Sequence, residues 1–381
     1  MRIAHIITSL QTGGAEKILY RHLRAREEKG GDGNNNEADD RSAVISLKDK
    51  GPVAEGIEKL GVSVHAMGMH ERPLSGFKAL YETLAEFEPH LVQTWLYHAD
   101  LFGGMAARIQ DRPVLWSIHN ENPKSQRLKR ATRIVAQMNA WGSGWIPDRV
   151  VSCSRKAAEA HIRFGYPEEK VSVIPNGFEV DQFRPDAQHR ASVREELGIP
   201  EGAPTIGKVA RYHPVKDHEN FLRAAVRAQK QVSELHFVLV GTDVVPETPL
   251  FNRYQEKLRS GTLHLLGRRD DVPRLMPAFD IATLSSKTEA FPMVLGEAMA
   301  CGVPCVATNT GDVAYLLGDT GIVVPTEDPE ALARGWLQLV EAPEEERREL
   351  GRKARRRVQD NFSQDAVMQQ YEAVYEALCV G

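Results

Sequence analysis

The 381-residue sequence has few cysteines and no apolar run of about 18 residues, the length that a membrane-spanning helix requires. Its four cysteines, Cys153, Cys301, Cys305 and Cys379, are too sparse for a disulfide framework and are interpreted as small buried thiols. The opening residues lack the basic start, apolar middle and small-residue cleavage site of a signal peptide. We therefore expect a cytoplasmic protein without structural disulfides or zinc.

Motifs of metal, dinucleotide and phosphate sites are also missing. No Asp-x-Asp occurs, which is the usual carboxylate pair for a divalent metal that bridges a sugar nucleotide. The sequence contains neither GxGxxG after its first strand nor GxxxxGK followed by Ser or Thr. A formal net charge of −4 gives no general attraction to nucleic acid. We expect no nucleic-acid partner and no metal.

What is present is a globular composition arranged as alternating strands and helices. Hydrophobic residues make up 42% and charged residues 26%, and the length exceeds what one core usually supports. Strand-like runs of a first series are RIAHII, SAVISL, VSVHAM, HLVQTW, PVLWSIH, RVVSCS and VSVIPN. Those of a second series are TIGKVARY, LHFVLVG, TLHLLG, IATLSS, PCVAT and GIVVP. This alternation predicts two α/β domains with parallel, doubly wound sheets, divided near residue 185.

Two segments interrupt the alternation. Residues 28–41, EKGGDGNNNEADDR, predict a surface loop, for which a tolerated insertion is a simpler interpretation than a functional element. Residues 178–204 contain prolines and no strand-like run, and they are interpreted as the connection between the domains.

The strongest local signal is SSKTEAFPMVLGEAMACGVPCVAT, residues 285–308. A strand ends in a polar turn, Pro292 supplies a helix-starting φ, and Gly302 and Pro304 end the helix. The pattern predicts a helix from about Met293 to Cys301 whose first N–H groups point out of the carboxyl end of the sheet. Such a helix N-terminus favours a diphosphate.

Two glutamates lie close to the start of this helix, Glu289 before it and Glu297 within it. Ionised carboxylates accept hydrogen bonds from the hydroxyls of a sugar or a ribose. Alternatively, Glu289 caps the helix and Glu297 is an exposed surface residue. Periodicity alone does not separate these two interpretations.

The segment EAFPMVLGEAMACGVPCVAT resembles the E-x7-E signature of the large retaining glycosyltransferase family 4, which has the GT-B fold. GGAEKIL, IPNGFEVDQF, GKVARYHPVKDHENFL and HLLGRRDDVP resemble the same family in the same order. The resemblance implies that Glu289 contacts the donor sugar and Glu297 the nucleotide ribose. The residues that lead into the helix complete the implied donor site: Phe291, Pro292, Met293 and Val294.

The resemblance also assigns roles to residues that follow other strands. Arg211 and Lys216 follow TIGKVA, where two cations can neutralise a diphosphate leaving group without a metal. Gly13 and Gly14 form the first strand-to-helix turn, where backbone can approach a donor phosphate or an acceptor; a plain tight turn is the alternative. His119 ends the strand PVLWSIH, and the resemblance implies that it lies beside the donor sugar.

The implied fold is GT-B, with two Rossmann-like domains facing a cleft. Residues 1–185 would bind the acceptor, residues 186–358 would bind the nucleotide sugar, and a helix within 359–381 would pack back on the first domain. Tyr315 departs from the resemblance, because such enzymes often carry an acid at this point.

The implied activity is retaining transfer of a hexose-type sugar from a nucleoside diphosphate to a saccharide or lipid-linked saccharide, as in bacterial polysaccharide or glycolipid synthesis. A uridine nucleotide is expected from its frequency in the family, and no cofactor is expected. A sugar-nucleotide epimerase of the same fold and a non-catalytic sugar-nucleotide-binding module are the alternatives.

Residues 124–141 combine basic residues with apolar and aromatic ones. The basic residues are Lys124, Arg127, Lys129, Arg130 and Arg133. This composition is typical of a helix that lies on an anionic membrane surface, which would make the protein peripheral at the inner face of the membrane. Alternatively, the helix is an ordinary amphipathic one that packs its apolar residues on the sheet: Ile134, Val135, Met138 and Trp141.

Overall fold

The computed structural model describes residues 1–30, 41–125 and 128–379. Most of the predicted loop 28–41 and the predicted basic residue Arg127 lie outside these ranges. The described chain consists of parallel strands alternating with helices and divides into two compact units.

Unit 1 comprises Met1–Gly177 and Gln364–Gly381 and contains a seven-stranded parallel sheet. Its strands are β1 (Arg2–Ile7), β2 (Arg41–Ser46), β3 (Ser63–Ala66), β4 (Leu91–Trp95), β5 (Val114–Ile118), β6 (Arg149–Ser152) and β7 (Val171–Val173). Its helices up to β7 are α1 (Gly14–Gly30), α2 (Val53–Glu58), α3 (Pro73–Phe87), α4 (Tyr97–Ile109), α5 (Arg130–Gly142) and α6 (Arg155–Ile162). The strand order β3-β2-β1-β4-β5-β6-β7 reverses the direction of winding between β1 and β4.

The central strands of unit 1 end at a common edge. All five residues of β4 are buried, as expected of a parallel strand that is covered on both faces. Ile7, the last residue of β1, pairs with Trp95, the last residue of β4, and Trp95 pairs with Ser117 of β5. Residues that follow these three strands therefore lie close together.

Unit 2 comprises Phe178–Ser363 and contains a six-stranded parallel sheet. Its strands are β8 (Thr205–Val209), β9 (His236–Val240), β10 (Leu263–Leu265), β11 (Ile281–Leu284), β12 (Cys305–Thr308) and β13 (Gly321–Val324). Its helices are α7 (Ala187–Glu196), α8 (His218–Gln229), α9 (Pro249–Gln255), α10 (Val272–Leu275), α11 (Met293–Ala300), α12 (Val313–Leu317), α13 (Pro329–Glu341) and α14 (Glu344–Phe362). The order β10-β9-β8-β11-β12-β13 reverses the direction of winding between β8 and β11. The α/β fold with two doubly wound sheets, predicted from the sequence, is confirmed.

The last helix, α15 (Gln364–Cys379), belongs to unit 1. The Tyr375 hydroxyl donates to Gln93 Oε1 at 2.6 Å and lies 2.7 Å from His22 Nε2, and all three residues are buried. These bonds attach α15 to β4 and α1. Within the described ranges, no helix is both long enough and apolar enough to cross a bilayer.

Unit 2 begins at Phe178, upstream of the boundary predicted at residue 185. The Phe178 N–H donates to the Phe362 carbonyl at 2.8 Å, which ties the start of the unit to the end of α14. The segment 178–204, interpreted from sequence as a connection, contains α7. Arg194 of this helix donates a hydrogen bond of 3.1 Å to the hydroxyl of Thr205, the first residue of β8. The segment is therefore an integral part of unit 2.

Candidate active site

The residues predicted for the donor site follow the two strands between which unit 2 reverses its winding. Arg211 and Lys216 follow β8, and Glu289 follows β11. These strands pair in parallel, so both end at the same edge of the sheet. Open α/β sheets bind ligands at such a reversal. The fold thus brings these three residues to one edge.

Lys216 and Glu289 form an ion pair, with 2.5 Å between Lys216 Nζ and Glu289 Oε1. Both side chains are largely buried, and Ser286 Oγ donates to the same carboxylate oxygen at 2.6 Å. An ammonium has three donor positions, so Lys216 has further protons for a ligand. A cation held in this way can stabilise negative charge on a diphosphate.

A short turn holds Lys216 against the end of β11. The Val215 carbonyl in this turn accepts from the Lys287 N–H at 2.8 Å. Asp217 has a left-handed φ of 44°, and its side chain accepts from the Asn220 N–H at 3.2 Å to cap α8. The position of the Lys216 side chain therefore depends on contacts with both β11 and α8.

The helix predicted to begin at Met293 is α11. Pro292 is its N-cap residue, and Gly302 has the left-handed φ of 71° that ends it. No side chain caps the helix, so the interpretation of Glu289 as its cap is wrong. The amides of Met293 and Val294 precede the first hydrogen bond of the helix and can donate to an anion.

Phe291 is packed in an aromatic cluster. Its ring is buried, with its centroid 6.0 Å from that of Phe178 and 6.1 Å from that of Phe362. The Tyr315 ring lies 5.5 Å from Phe362 and belongs to the same cluster. Pro292 has no N–H to donate. Of the predicted residues before α11, Phe291 and Pro292 therefore shape the turn rather than donate side-chain hydrogen bonds.

Arg211 and Glu297 complete the predicted donor set. Arg211 is exposed, and no residue of the described chain forms a hydrogen bond or ion pair with its guanidinium. Glu297 is partly buried rather than an exposed surface residue. Burial and, secondarily, the Glu297 charge raise the pKa of the Cys301 thiol to about 12.

In unit 1, His119 follows β5 and stacks on Trp95 at the end of β4. Their ring centroids are 5.0 Å apart and their planes differ by 11°. Both ring nitrogens of His119 are buried, and none of the described residues hydrogen-bonds to either. Burial lowers the pKa of His119 to about 4, so the imidazole is neutral near pH 7. A neutral imidazole offers one donor and one acceptor to a bound hydroxyl.

The predicted glycine turn of unit 1 lies before α1. A Cβ on Gly13 would collide with the carboxylate of Glu16, whereas a Cβ on Gly14 would meet nothing within 4 Å. Glu16 is buried, and burial raises the pKa of its carboxyl. Gly13 therefore makes room for Glu16, while Gly14 presents open backbone.

Comparison with known families agrees with this arrangement. Residues 35–182 match the family model described as Glycosyltransferase Family 4, and residues 189–357 match the model described as Glycosyl transferases group 1. The chain belongs to the family 4 glycosyltransferases with the GT-B fold.

Across the described residues, no three His, Cys, Asp or Glu side chains are grouped as metal ligands.

The family includes relatives with different acceptors. The chain is 30% identical over 191 residues to N-acetyl-alpha-D-glucosaminyl L-malate synthase of Bacillus anthracis, covering 48% of either chain. It is 26% identical over 236 residues to UDP-Gal:alpha-D-GlcNAc-diphosphoundecaprenol alpha-1,3-galactosyltransferase of Escherichia coli, covering 61% of this chain and 60% of the relative. The matches thus span about half of the length of these relatives.

Solved structures share the fold over the full chain. Anabaena HepE in complex with UDP-glucose superimposes with a TM-score of 0.81 at 20% identity, covering 99% of this chain and all of that one. WaaG, a glycosyltransferase involved in lipopolysaccharide biosynthesis, gives a TM-score of 0.72 at 15% identity, with both chains fully covered. These likenesses establish the GT-B fold.

Three residues next to the predicted sites carry signals that motif reasoning passes over. Lys208 is a charged residue inside the otherwise apolar run of β8, and Trp95 is a large aromatic residue at the end of β4. Glu16 is an acid in the first turn after the glycines. All three are buried, which a sequence pattern does not reveal.

If Arg211 and Lys216 have the predicted role of stabilising charge on a leaving phosphate, Arg211→Ala and Lys216→Ala should each lower kcat by about 10² to 10³. Glu297→Ala should instead raise the Kd for the nucleotide. Steady-state kinetics and calorimetric nucleotide titration measure the two effects.

Arg253→Ala is the matched control. Arg253 is an exposed cation of unit 2 that pairs with Glu219 at 3.1 Å, and its replacement should leave kcat near wild type. Wild-type turnover in either Arg211→Ala or Lys216→Ala would contradict the assignment.

Proposed function

We propose that the protein is a retaining glycosyltransferase that transfers a sugar from a uridine diphosphate donor to a saccharide or lipid-linked saccharide without a divalent metal. The observation that carries the proposal is the meeting of the Lys216–Glu289 ion pair, Arg211 and the N-terminus of α11 at one edge of unit 2. Cations and helix amides then take the place of a metal at the diphosphate.

The choice of uridine is supported by the names of related proteins. HepE binds UDP and UDP-glucose, and the E. coli relative is named for UDP-Gal. That relative is also named for an acceptor on a diphosphoundecaprenol lipid, which supports the lipid-linked alternative for the acceptor.

The reaction breaks the bond between the anomeric carbon and the β-phosphate oxygen and forms a bond from the acceptor oxygen to that carbon on the same face. The acceptor proton passes to the departing phosphate. Negative charge grows on that phosphate, where Arg211, Lys216 and the α11 amides stabilise it. Glu289 and Glu297 accept hydrogen bonds from sugar and ribose hydroxyls.

Uridine diphosphate should stabilise the protein more than guanosine or adenosine diphosphate does. At about 100 times its Kd, a nucleotide that binds only the native state adds roughly 2.7 kcal/mol to the free energy of unfolding. Thermal unfolding with each nucleotide measures the difference. Equal shifts with all three would contradict the choice of base.

Transfer should proceed at the wild-type rate in excess EDTA, because the proposed site contains cations where a metal would otherwise lie. The assay follows release of uridine diphosphate and the glycosylated product with panels of donors and acceptors. Rate loss in EDTA that magnesium or manganese restores would contradict metal independence. Interconversion of the donor sugar without an acceptor would indicate an epimerase, and binding without turnover would indicate a binding module.

An exposed apolar stripe on unit 1 supports an acceptor that is held in a membrane. Along α5 and the turn after it, Ile134, Met138, Trp141 and Trp145 follow one another at helical spacing. Ile134 is 54% exposed, Trp141 74% and Trp145 60%. Only Val135 of the apolar residues expected to pack on the sheet lies against the core. The interpretation of this segment as an ordinary packed helix is therefore wrong for Ile134, Met138 and Trp141.

Basic residues adjoin this stripe. Lys129, Arg130 and Arg133 are exposed at the start of α5, and Lys124 is exposed with its ammonium 5.7 Å from the centre of the Phe164 ring. Apolar side chains next to cations match a bilayer with acidic headgroups, which buries the former and attracts the latter. We propose that α5 rests on an anionic membrane surface and gives access to a lipid-linked acceptor.

The protein should sediment with vesicles that contain acidic lipids at low salt and less with neutral vesicles, because about 1 kcal/mol per basic residue adds to insertion of the apolar stripe. Changing Trp141 and Trp145 to Ser should release most of the protein from the acidic vesicles. Changing Lys129, Arg130 and Arg133 to Gln should do the same.

Two control proteins match these changes in number and type. Leu74 and Ile109, which are exposed apolar residues on other helices of unit 1, are changed to Ser, and Lys59, Lys78 and Arg163 are changed to Gln. Neither control should alter sedimentation. Absence of binding by the wild type, or equal loss in the controls, would refute the membrane proposal and favour a free saccharide acceptor.

A further inference from the structure

Lys208 is a lysine inside the core of unit 2. It is the fourth of the five residues of β8, and only 1% of its surface is exposed. The two residues before it, Ile206 and Gly207, are also buried. Burying an ammonium costs free energy, whereas burying an apolar side chain of similar size does not, so a lysine at this position requires compensating contacts.

The Lys208 ammonium finds those contacts at the turn that carries Lys216. Lys208 Nζ donates to the Lys216 carbonyl at 2.8 Å and to Ser285 Oγ at 2.7 Å. Ser285 Oγ in turn donates to the Asp217 carbonyl at 2.9 Å. One buried ammonium thus joins the carboxyl end of β8, the Lys216 turn and the end of β11.

The charges of the Lys216 turn and of Glu289 act on Lys208. Burial and, secondarily, the Lys216 ammonium lower the pKa of Lys208 against the opposing effect of the Glu289 and Asp217 carboxylates, and the net pKa is about 7. Lys208 therefore lies close enough to the Lys216–Glu289 pair to interact with it electrostatically.

We infer that Lys208 is a positioning residue for transfer, which holds the Lys216 backbone so that the Lys216 ammonium meets Glu289 and the leaving phosphate. The inference rests on the proposed function, since it assigns Lys208 an effect on that reaction through Lys216. Lys208 is buried and its ammonium donates two hydrogen bonds beneath the turn, so its effect would be exerted through Lys216 rather than on the substrate directly.

The geometry explains why the turn needs an anchor. Asp217, the next residue, has left-handed backbone torsions, which cost energy in a residue other than glycine. Without the Lys208 ammonium, the Lys216 carbonyl would keep only the longer bond that Ser285 Oγ donates at 3.2 Å, and the turn could relax away from β11. A shift of about 1 Å in a catalytic group can cost on the order of 10²-fold in rate.

A double-mutant cycle tests the inference with kcat and the Kd for uridine diphosphate as readouts. Lys208→Met removes the ammonium while keeping an unbranched side chain. It should lower kcat by about 10²-fold in the wild-type background and by less than about 3-fold when Lys216 is already Ala. Ser285→Ala, which removes the second partner of Lys208, should also lower kcat more in the wild-type background than when Lys216 is Ala. This variant replaces Lys208→Met in the test if Lys208→Met fails to fold.

The control for lost stability is Thr283→Val. Thr283 is buried in β11, and its hydroxyl accepts from Trp336 Nε1 at 2.9 Å, so the change disturbs the same sheet without touching the turn. It should lower the midpoint of thermal unfolding and leave kcat unchanged.

The outcomes separate this inference from the proposed function. An equal loss of kcat from Lys208→Met with and without Lys216, or no loss at all, overturns the positioning role while the wild type still transfers sugar. If the wild type shows neither transfer nor nucleotide binding, the proposed function fails and the inference falls with it.

Discussion

Parallel pairing of strands constrains where each unit can place functional groups. A parallel strand needs a crossover before its neighbour can pair with it, so every strand of a unit ends at the same edge and every loop after a strand starts there. The winding reverses between β1 and β4 in unit 1 and between β8 and β11 in unit 2. At its own point of reversal the loops of each unit diverge and leave a crevice, which the residues after the two strands of that unit line.

The two edges differ in their electrostatics. In unit 2, Arg211, Lys216 and the amides of α11 supply positive charge and donors, and Glu289 supplies one balancing carboxylate. Of these cations, Lys216 is held in place by its ion pair, so a diphosphate bound at this edge would require little reorganisation of it. The same ion pair holds the Glu289 carboxylate in place.

In unit 1, by contrast, burial keeps the functional groups neutral. It lowers the pKa of His119 to about 4 and, together with nearby positive charge, that of His22 to about 3. Neutral imidazoles cannot balance a phosphate, but they can exchange hydrogen bonds with hydroxyls. The chemistry of unit 1 therefore suits an uncharged sugar ring or an acceptor hydroxyl better than a nucleotide.

Sequence patterns predict the parts of this protein that depend on local order and fail where tertiary contacts decide. Each strand-like run is a strand, and α11 begins at Met293 as Pro292 indicates, because buried parallel strands and helix starts have strong local signatures. The helix α7 is not predicted, since the prolines on either side of it suggest a linker, and its Arg194 is held by contacts with the start of β8. The division at Phe178 likewise depends on its bond to the distant Phe362.

The same limit applies to α5 and to Lys208. The amphipathic pattern of α5 indicates a helix, but whether Trp141 packs or stays exposed depends on what covers it in the fold, and nothing in the periodicity encodes that. Lys208 interrupts an apolar run, which in a sequence suggests only a weaker strand. Its contacts depend on the folded unit, where the ammonium donates one hydrogen bond to the Lys216 carbonyl and one to Ser285 Oγ, which offset the cost of its burial.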